Sequence, residues 1–266
     1  MPLMAGKRGV IMGVANERSI AWGIAKTLHD HGATLAFTYQ GEALGKRVRP
    51  LALSLDSDFV VEADVASEES LDSLFAALAQ RWGRFDFLVH AIGATDPAAL
   101  RGKYVETTRE NFLRTLDVSC FSFTDLCRRA VPLMPQGGSL LTLTYAGAER
   151  VMPNYNVMGV AKAALEASVK YLAVDLGGCN IRVNAISAGP IRTLASSGIS
   201  DFRYILKWNQ LNSPLKRNVT IEDVGGGALY LLSDLSAGVS GEIHHIDCGY
   251  HVVGMKAVDA PDISVV

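Results

Sequence analysis

This chain has no apolar run approaching the roughly 18 residues needed to cross a bilayer as a helix, so no membrane insertion is expected. It also lacks an excess of charge of either sign. The formal net charge of -2 leaves no electrostatic argument for nucleic acid or an anionic surface as partner. Cysteine is scarce, and the four present, Cys120, Cys127, Cys179 and Cys248, show no C-x2-C spacing, so no metal centre is expected. Lys7-Arg8 leads straight into Gly9-Val-Ile-Met-Gly13, and the expectation is a cytoplasmic protein with free thiols. Low-complexity linkers and internal repeats are missing too, so nothing marks a domain boundary. One domain over 1–266 is expected, with its core at about 5–256 and a tail at 257–266. With 49% hydrophobic and 20% charged residues the chain can bury a large core, and small-molecule chemistry is the favoured class.

What is present is an alternation of short apolar runs with helical patterns. Gly9 to Gly13 reads as a buried strand ending in glycine, and Ser19 to His29 as a helix with Ser19 as its N-cap. A helix N-terminus offers unsatisfied N–H groups and a positive dipole end, so a diphosphate would sit at this turn. The spacing Gly13, Ala15, Ser19, Gly23 is not G-x-G-x-x-G, and glycines that merely let the helix pack are an equal reading here. The second strand, 33–39, ends at Gln40, where a dinucleotide fold reads the adenosine ribose. An acidic residue there favours NAD and an arginine favours a 2′-phosphate. Gln40 does neither strongly, and the basic Lys46, Arg47 and Arg49 fall on a solvated helix face, so NADH is favoured over NADPH.

Asp58 to Val65 reads as a third strand whose Asp64 suits an adenine amino group, or is a solvated loop aspartate. A helix through 71–78 and a fourth strand, Phe85 to Gly93, complete a pattern that argues for a parallel sheet covered on both faces. Ligands in such sheets bind beyond the carboxyl ends of the strands, where Gly13, Gln40, Asp64 and Gly93 all fall. Thr108 to Met134 reads as one long helix closed by Pro132 and Pro135, followed by a strand at 138–145, a helix at 155–176 and a strand from 181 to 193. Segment 193–215 carries Phe202, Ile205, Leu206 and Trp208. It is too apolar for a plain surface loop and reads as a mobile lid over an apolar substrate, or as a docked helical excursion. A helix at 221–233 and a strand at 241–250 follow, in which His244 and His245 point to opposite faces and cannot jointly ligate a metal.

Tyr155 and Lys162 stand seven apart, about two helical turns, and so share one face. The lysine stem leans toward the N-terminus, and a nearby ammonium is expected to lower the phenol's pKa so that it can donate a proton near neutral pH. A packed tyrosine beside a solvated lysine is the bland reading of the pair in isolation.

In order, these features resemble the short-chain dehydrogenase/reductase superfamily, and within it the NADH-dependent enoyl-acyl carrier protein reductases of bacterial fatty-acid synthesis. The resemblance rests on Gly13 followed by Ser19-Ile20-Ala21, Gln40, Asp64-Val65, Pro153-Asn-Tyr-Asn-Val-Met-Gly159 and Gly189-Pro-Ile-Arg-Thr-Leu-Ala195, and on Y-x6-K in place of Y-x3-K. It implies an α/β fold, a Rossmann-like doubly wound parallel sheet with a helical substrate-binding lid near 193–215. It implies Tyr145, Tyr155 and Lys162 as catalytic residues. The adenine would lie by Gln40, Asp64 and Val65, and the diphosphate by Gly13, Ala15, Ser19 and Ile20. The nicotinamide end would lie by Ile92, Gly93, Lys162, Ile191, Thr193, Leu194 and Ala195. Ala94, Thr95, Tyr145, Tyr155, Met158, Ala195, Ile199 and Phe202 would face the acyl substrate. Acyl carrier protein is the implied partner and a homotetramer the implied assembly. Ala94 replaces a bulky aromatic frequent in relatives, and Thr95 a small apolar residue, so pocket shape is where this chain departs from the pattern. Two other readings stay open: a keto-reductase of the same fold, which predicts Y-x3-K, and a non-catalytic dinucleotide sensor, which predicts loss of the tyrosine or lysine.

Overall fold

Short runs of valine, isoleucine, leucine and phenylalanine form the strands, and their near-continuous apolarity matches a sheet buried on both faces. The computed structural model describes residues 2–263. In chain order come β1 (Arg8–Met12), α1 (Ile20–Asp30), β2 (Thr34–Tyr39), α2 (Glu42–Leu53), β3 (Val60–Glu62), α3 (Glu68–Trp82) and β4 (Phe87–His90). The second half adds α4 (Arg109–Leu116), α5 (Ser122–Ala130), β5 (Gly138–Thr144), α6 (Asn156–Gly177), β6 (Ile181–Ala188), α7 (Phe202–Asn212), α8 (Ile221–Leu232) and β7 (Ile243–Ile246). The strands pair in parallel in the order β3-β2-β1-β4-β5-β6-β7. Winding runs outward both ways from the β1/β4 pair, so the ligand crevice of such a sheet lies beyond the carboxyl ends of these two strands.

Alternation along each strand divides the core. Ile11 packs with α1 and α8 through Ile24, Leu28, Val224 and Leu231, whereas Val10 and Met12 pack on the other face with Phe123, Leu126 and Leu165. Each such fully buried side chain contributes about 1.5–3 kcal/mol. α8 opens with a reciprocal capping box between Thr220 and Asp223.

The expected single helix over 108–134 is broken. After α4 the chain makes a π-helical turn at Asp117–Phe121 before α5, and a 3-10 turn at Val131–Leu133 closes it. The extra residue turns Ser119 inward until it is fully buried, and the Ser122 hydroxyl donates back to the Val118 carbonyl at 2.7 Å. β3 holds only three residues, and β6 stops at Ala188, ahead of Gly189-Pro190. Segment 193–215 folds as a 3-10 turn, Ala195–Gly198, and then α7, whose Trp208 donates to the Tyr250 hydroxyl at 2.8 Å. Of the tail, 257–263 is described; 264–266 lie outside the described residues.

Candidate active site

The turn after β1 is built on Gly13, at φ +99, where a Cβ would sit 2.0 Å from the Ala91 carbonyl oxygen. No other residue fits so close to β4. Ser19 precedes α1 as expected, but its hydroxyl turns to the loop and accepts from the Ala15 and Asn16 N–H groups at 3.0 and 3.1 Å. The first amides of α1, which no helix satisfies internally, are left to face a ligand.

Tyr155 immediately precedes α6, and its ring lies against the loop leaving β5. A Cβ on Gly147 would meet that ring at 2.3 Å, and one on Gly159 would lie 2.7 Å from the Gly147 carbonyl oxygen. The position four after Tyr155 is thus closed to any side chain. Tyr145 meets Tyr155 edge-on, with ring centroids 5.2 Å apart, and its buried hydroxyl has no hydrogen-bond partner among the described residues. A buried orphan of this kind calls for a ligand group. Lys162 is 7% exposed, and its ammonium donates to the Leu143 carbonyl at 2.8 Å and to that of Ile92 at 3.4 Å.

One expectation is corrected. The Tyr155 pKa is raised, not lowered, by burial first and then by the neighbouring Tyr145 and Glu166. Lys162 reaches strand-end carbonyls and is itself desolvated, which brings its pKa down to about 8, with Cys120 and Glu166 partly opposing.

A cavity of about 510 Å3 brings most of the sequence-derived residues together. Gly13, Ala15, Ser19, Ile20, Ile92, Gly93, Lys162, Ile191 and Thr193, expected at the cofactor, all line it. So do Ala94, Thr95, Tyr145, Tyr155, Met158, Leu194, Ala195, Ile199 and Phe202. Gln40, Asp64 and Val65 lie outside it, following the carboxyl ends of β2 and β3; Asp64 accepts from the Ala66 N–H at 2.9 Å. His244 lies tilted against Tyr230 of α8, ring centroids 6.0 Å apart, while His245 bonds Glu149 at 3.0 Å, so the two part to opposite sides.

Sequence reasoning missed the polar layer behind this wall. The Ser119 hydroxyl accepts from the Ala94 N–H at 3.0 Å and lies 3.2 Å from its carbonyl, and the Thr95 hydroxyl turns away to Thr115 at 2.8 Å and Asn111 at 3.3 Å. His90, fully buried, bridges Thr142 at 2.8 Å and Ser122 at 2.9 Å, and burial lowers its pKa to about 3, so it stays neutral behind Lys162. Scattered serines and threonines carry no periodic signal, and only the π-turn brings them into register. Leu100, packed with Tyr155 and Met158, was missed for the same lack of pattern.

Residues 13–251 match the family model described as enoyl-(acyl carrier protein) reductase. The chain belongs to that family. It is 66% identical over 263 residues to enoyl-[acyl-carrier-protein] reductase [NADH] 1 of Rhizobium meliloti, covering 99% of this chain and 97% of that one. Among solved structures it is similar to FabI from Candidatus Liberibacter asiaticus, with TM-score 0.95 and 59% identity over 97% of this chain and 100% of that one. The Anaplasma phagocytophilum reductase, solved in complex with NAD, superposes with TM-score 0.94 at 60% identity and covers 98% of both chains. In this chain Gly159 is the structural counterpart of the Y-x6-K spacing: the loop at Gly147 crowds the place a Y-x3-K lysine would need.

Proposed function

We propose that this chain reduces a trans-2-enoyl thioester on acyl carrier protein to the saturated acyl thioester with NADH, the last step of a fatty-acid elongation cycle. The observation that carries the reading is the single cavity in which Tyr155, the unpartnered Tyr145 hydroxyl and Lys162 face the Gly13 turn. The residues fit the dinucleotide, since Gly13 lets the turn run tight against Ala91 and the start of α1, at Ile20 and Ala21, opens onto the cavity beside it. When bound, NADH supplies the hydride that adds to the substrate's β-carbon.

Tyr155 then donates a hydrogen bond to the thioester oxygen on which negative charge develops, and a proton taken up from solvent at the α-carbon completes the saturated thioester. Tyr145 orients the same thioester through the hydroxyl that the protein leaves unpaired. Lys162, held by the Leu143 and Ile92 carbonyls, would hold the nicotinamide ribose hydroxyls. Gln40, Asp64 and Val65 would hold the adenine end. Met158, Ala195, Ile199 and Phe202 enclose the acyl chain beneath α7, and Thr95, its hydroxyl tied to Thr115 of α4, lines the same cavity. Segment 193–215 acts as the lid.

The whole chain works as one domain, in the cytoplasm, as a homotetramer. Support for the assembly comes from Leu113 and Phe121 around α4 and Tyr171 and Val174 on α6, large apolar side chains left exposed on neighbouring helices. Purified protein is expected to oxidise NADH with crotonyl thioester and to leave a 3-oxoacyl thioester unreduced. Reduction of the 3-oxoacyl thioester alone would establish the keto-reductase reading instead.

A further inference from the structure

The end of β2 is where a doubly wound fold places the carboxylate that accepts from the ribose hydroxyls and repels a 2′-phosphate. This chain has the uncharged, exposed Gln40 there. The neighbouring strand supplies the missing charge. β2 and β3 pair with Tyr39 opposite Glu62, so Glu62, the last residue of β3, emerges on the carboxyl edge level with the end of β2. Its Oε1 accepts from the Gly41 N–H at 3.2 Å, which fixes the carboxylate within one residue of Gln40.

The basic side chain that reaches Tyr39 at the end of β2 is occupied. Arg49 donates through Nη1 to Glu42 at 3.0 Å and through Nη2 to Glu42 at 3.3 Å and to the Tyr39 hydroxyl at 2.6 Å. Its guanidinium also lies 4.7 Å from the centroid of the Tyr39 ring. Lys46 and Arg47 lie between Glu42 and Arg49 on α2, both exposed to solvent.

We infer that Glu62, together with the hold of Glu42 on Arg49, makes this site select NADH over NADPH; the inference rests on the proposed use of NADH. Glu62 stands in, from the adjacent strand, for the acidic residue that β2 lacks. A ribose hydroxyl can donate to its carboxylate, whereas a 2′-phosphate at Gln40-Gly41 meets like charge. Arg49, the group that would offset that repulsion, is already neutralised by Glu42.

Calorimetric titration with NADH and with NADPH tests this without any enoyl substrate. The wild type is expected to bind NADPH about tenfold or more weakly at low salt, the gap narrowing as salt rises. Glu62→Gln, which keeps an acceptor for Gly41, should cut the preference by about 5- to 10-fold, and the Glu42→Gln/Glu62→Gln pair should cut it further by releasing Arg49. Glu62→Asp, which keeps the charge, should stay near wild type. A preference unchanged within about twofold in both glutamine variants would overturn this inference alone. Failure of the wild type to bind either dinucleotide would overturn it together with the reading it rests on.

Discussion

A phenol enclosed by Leu100, Met158 and the edge of Tyr145 stays protonated through the working pH range, because burial raises its pKa, so the role proposed for Tyr155 is to donate a hydrogen bond rather than to act as a phenolate. The sequence pointed to the pair Tyr155 and Lys162 but not to the sign of this shift, since spacing along a helix says nothing about where a flexible ammonium finds its acceptors. Lys162 titrates at about 8 in the folded chain against an ordinary 10.5. Between those values the folded state binds fewer protons than the unfolded one, so this group makes stability rise with pH across that window. The grip on the ribose proposed for it runs the other way, strongest below about 8 and fading above it. NADH affinity measured from neutral to alkaline pH should therefore fall through that value in the wild type, and Lys162→Met should bind weakly with no such limb. A pH-independent affinity in the wild type would remove Lys162 from the binding step.

Elements, more than single side chains, decide which spacing the site can use. The 3-10 turn Ala146–Ala148 after β5 packs on the first turns of α6, with Gly147 and Gly159 in near contact. Gly159→Ala forces these apart and should cost about 1–3 kcal/mol, read as a lower Tm, together with weaker turnover as the Tyr155 ring shifts. An unchanged Tm would show that the turn yields freely. The strands, α1 and α6 were legible because apolar runs and 3.6-residue periodicity report burial directly. The π-turn at Asp117–Phe121 was not, because a one-residue register shift leaves the hydrophobic pattern almost unchanged while carrying Ser119 to the Ala94 backbone. α7 was legible as a helical segment somewhere within 193–215, but its bounds, Phe202–Asn212, were not.

At the scale of the whole molecule, the β1/β4 switch gathers residues more than a hundred positions apart into one crevice, and the sequence revealed this through the common carboxyl-end location of Gly13, Gln40, Asp64 and Gly93. Pairing between strands was not legible, which is why Glu62, level with Tyr39 only through the β2–β3 register, went unseen. Assembly belongs to this scale as well. Tyr171 and Val174 of α6 are 76% and 81% exposed in the single chain, and light scattering should give a tetramer that Tyr171→Asp with Val174→Asp dissociates. A monomeric wild type would contradict that assembly. The account turns on Tyr155 serving the developing thioester charge, and single-turnover reduction of a crotonyl thioester by NADH already bound tests this most directly. Tyr155→Phe should hold NADH as the wild type does yet transfer hydride about 100-fold or more slowly. Hydride transfer at the wild-type rate in Tyr155→Phe would contradict the account.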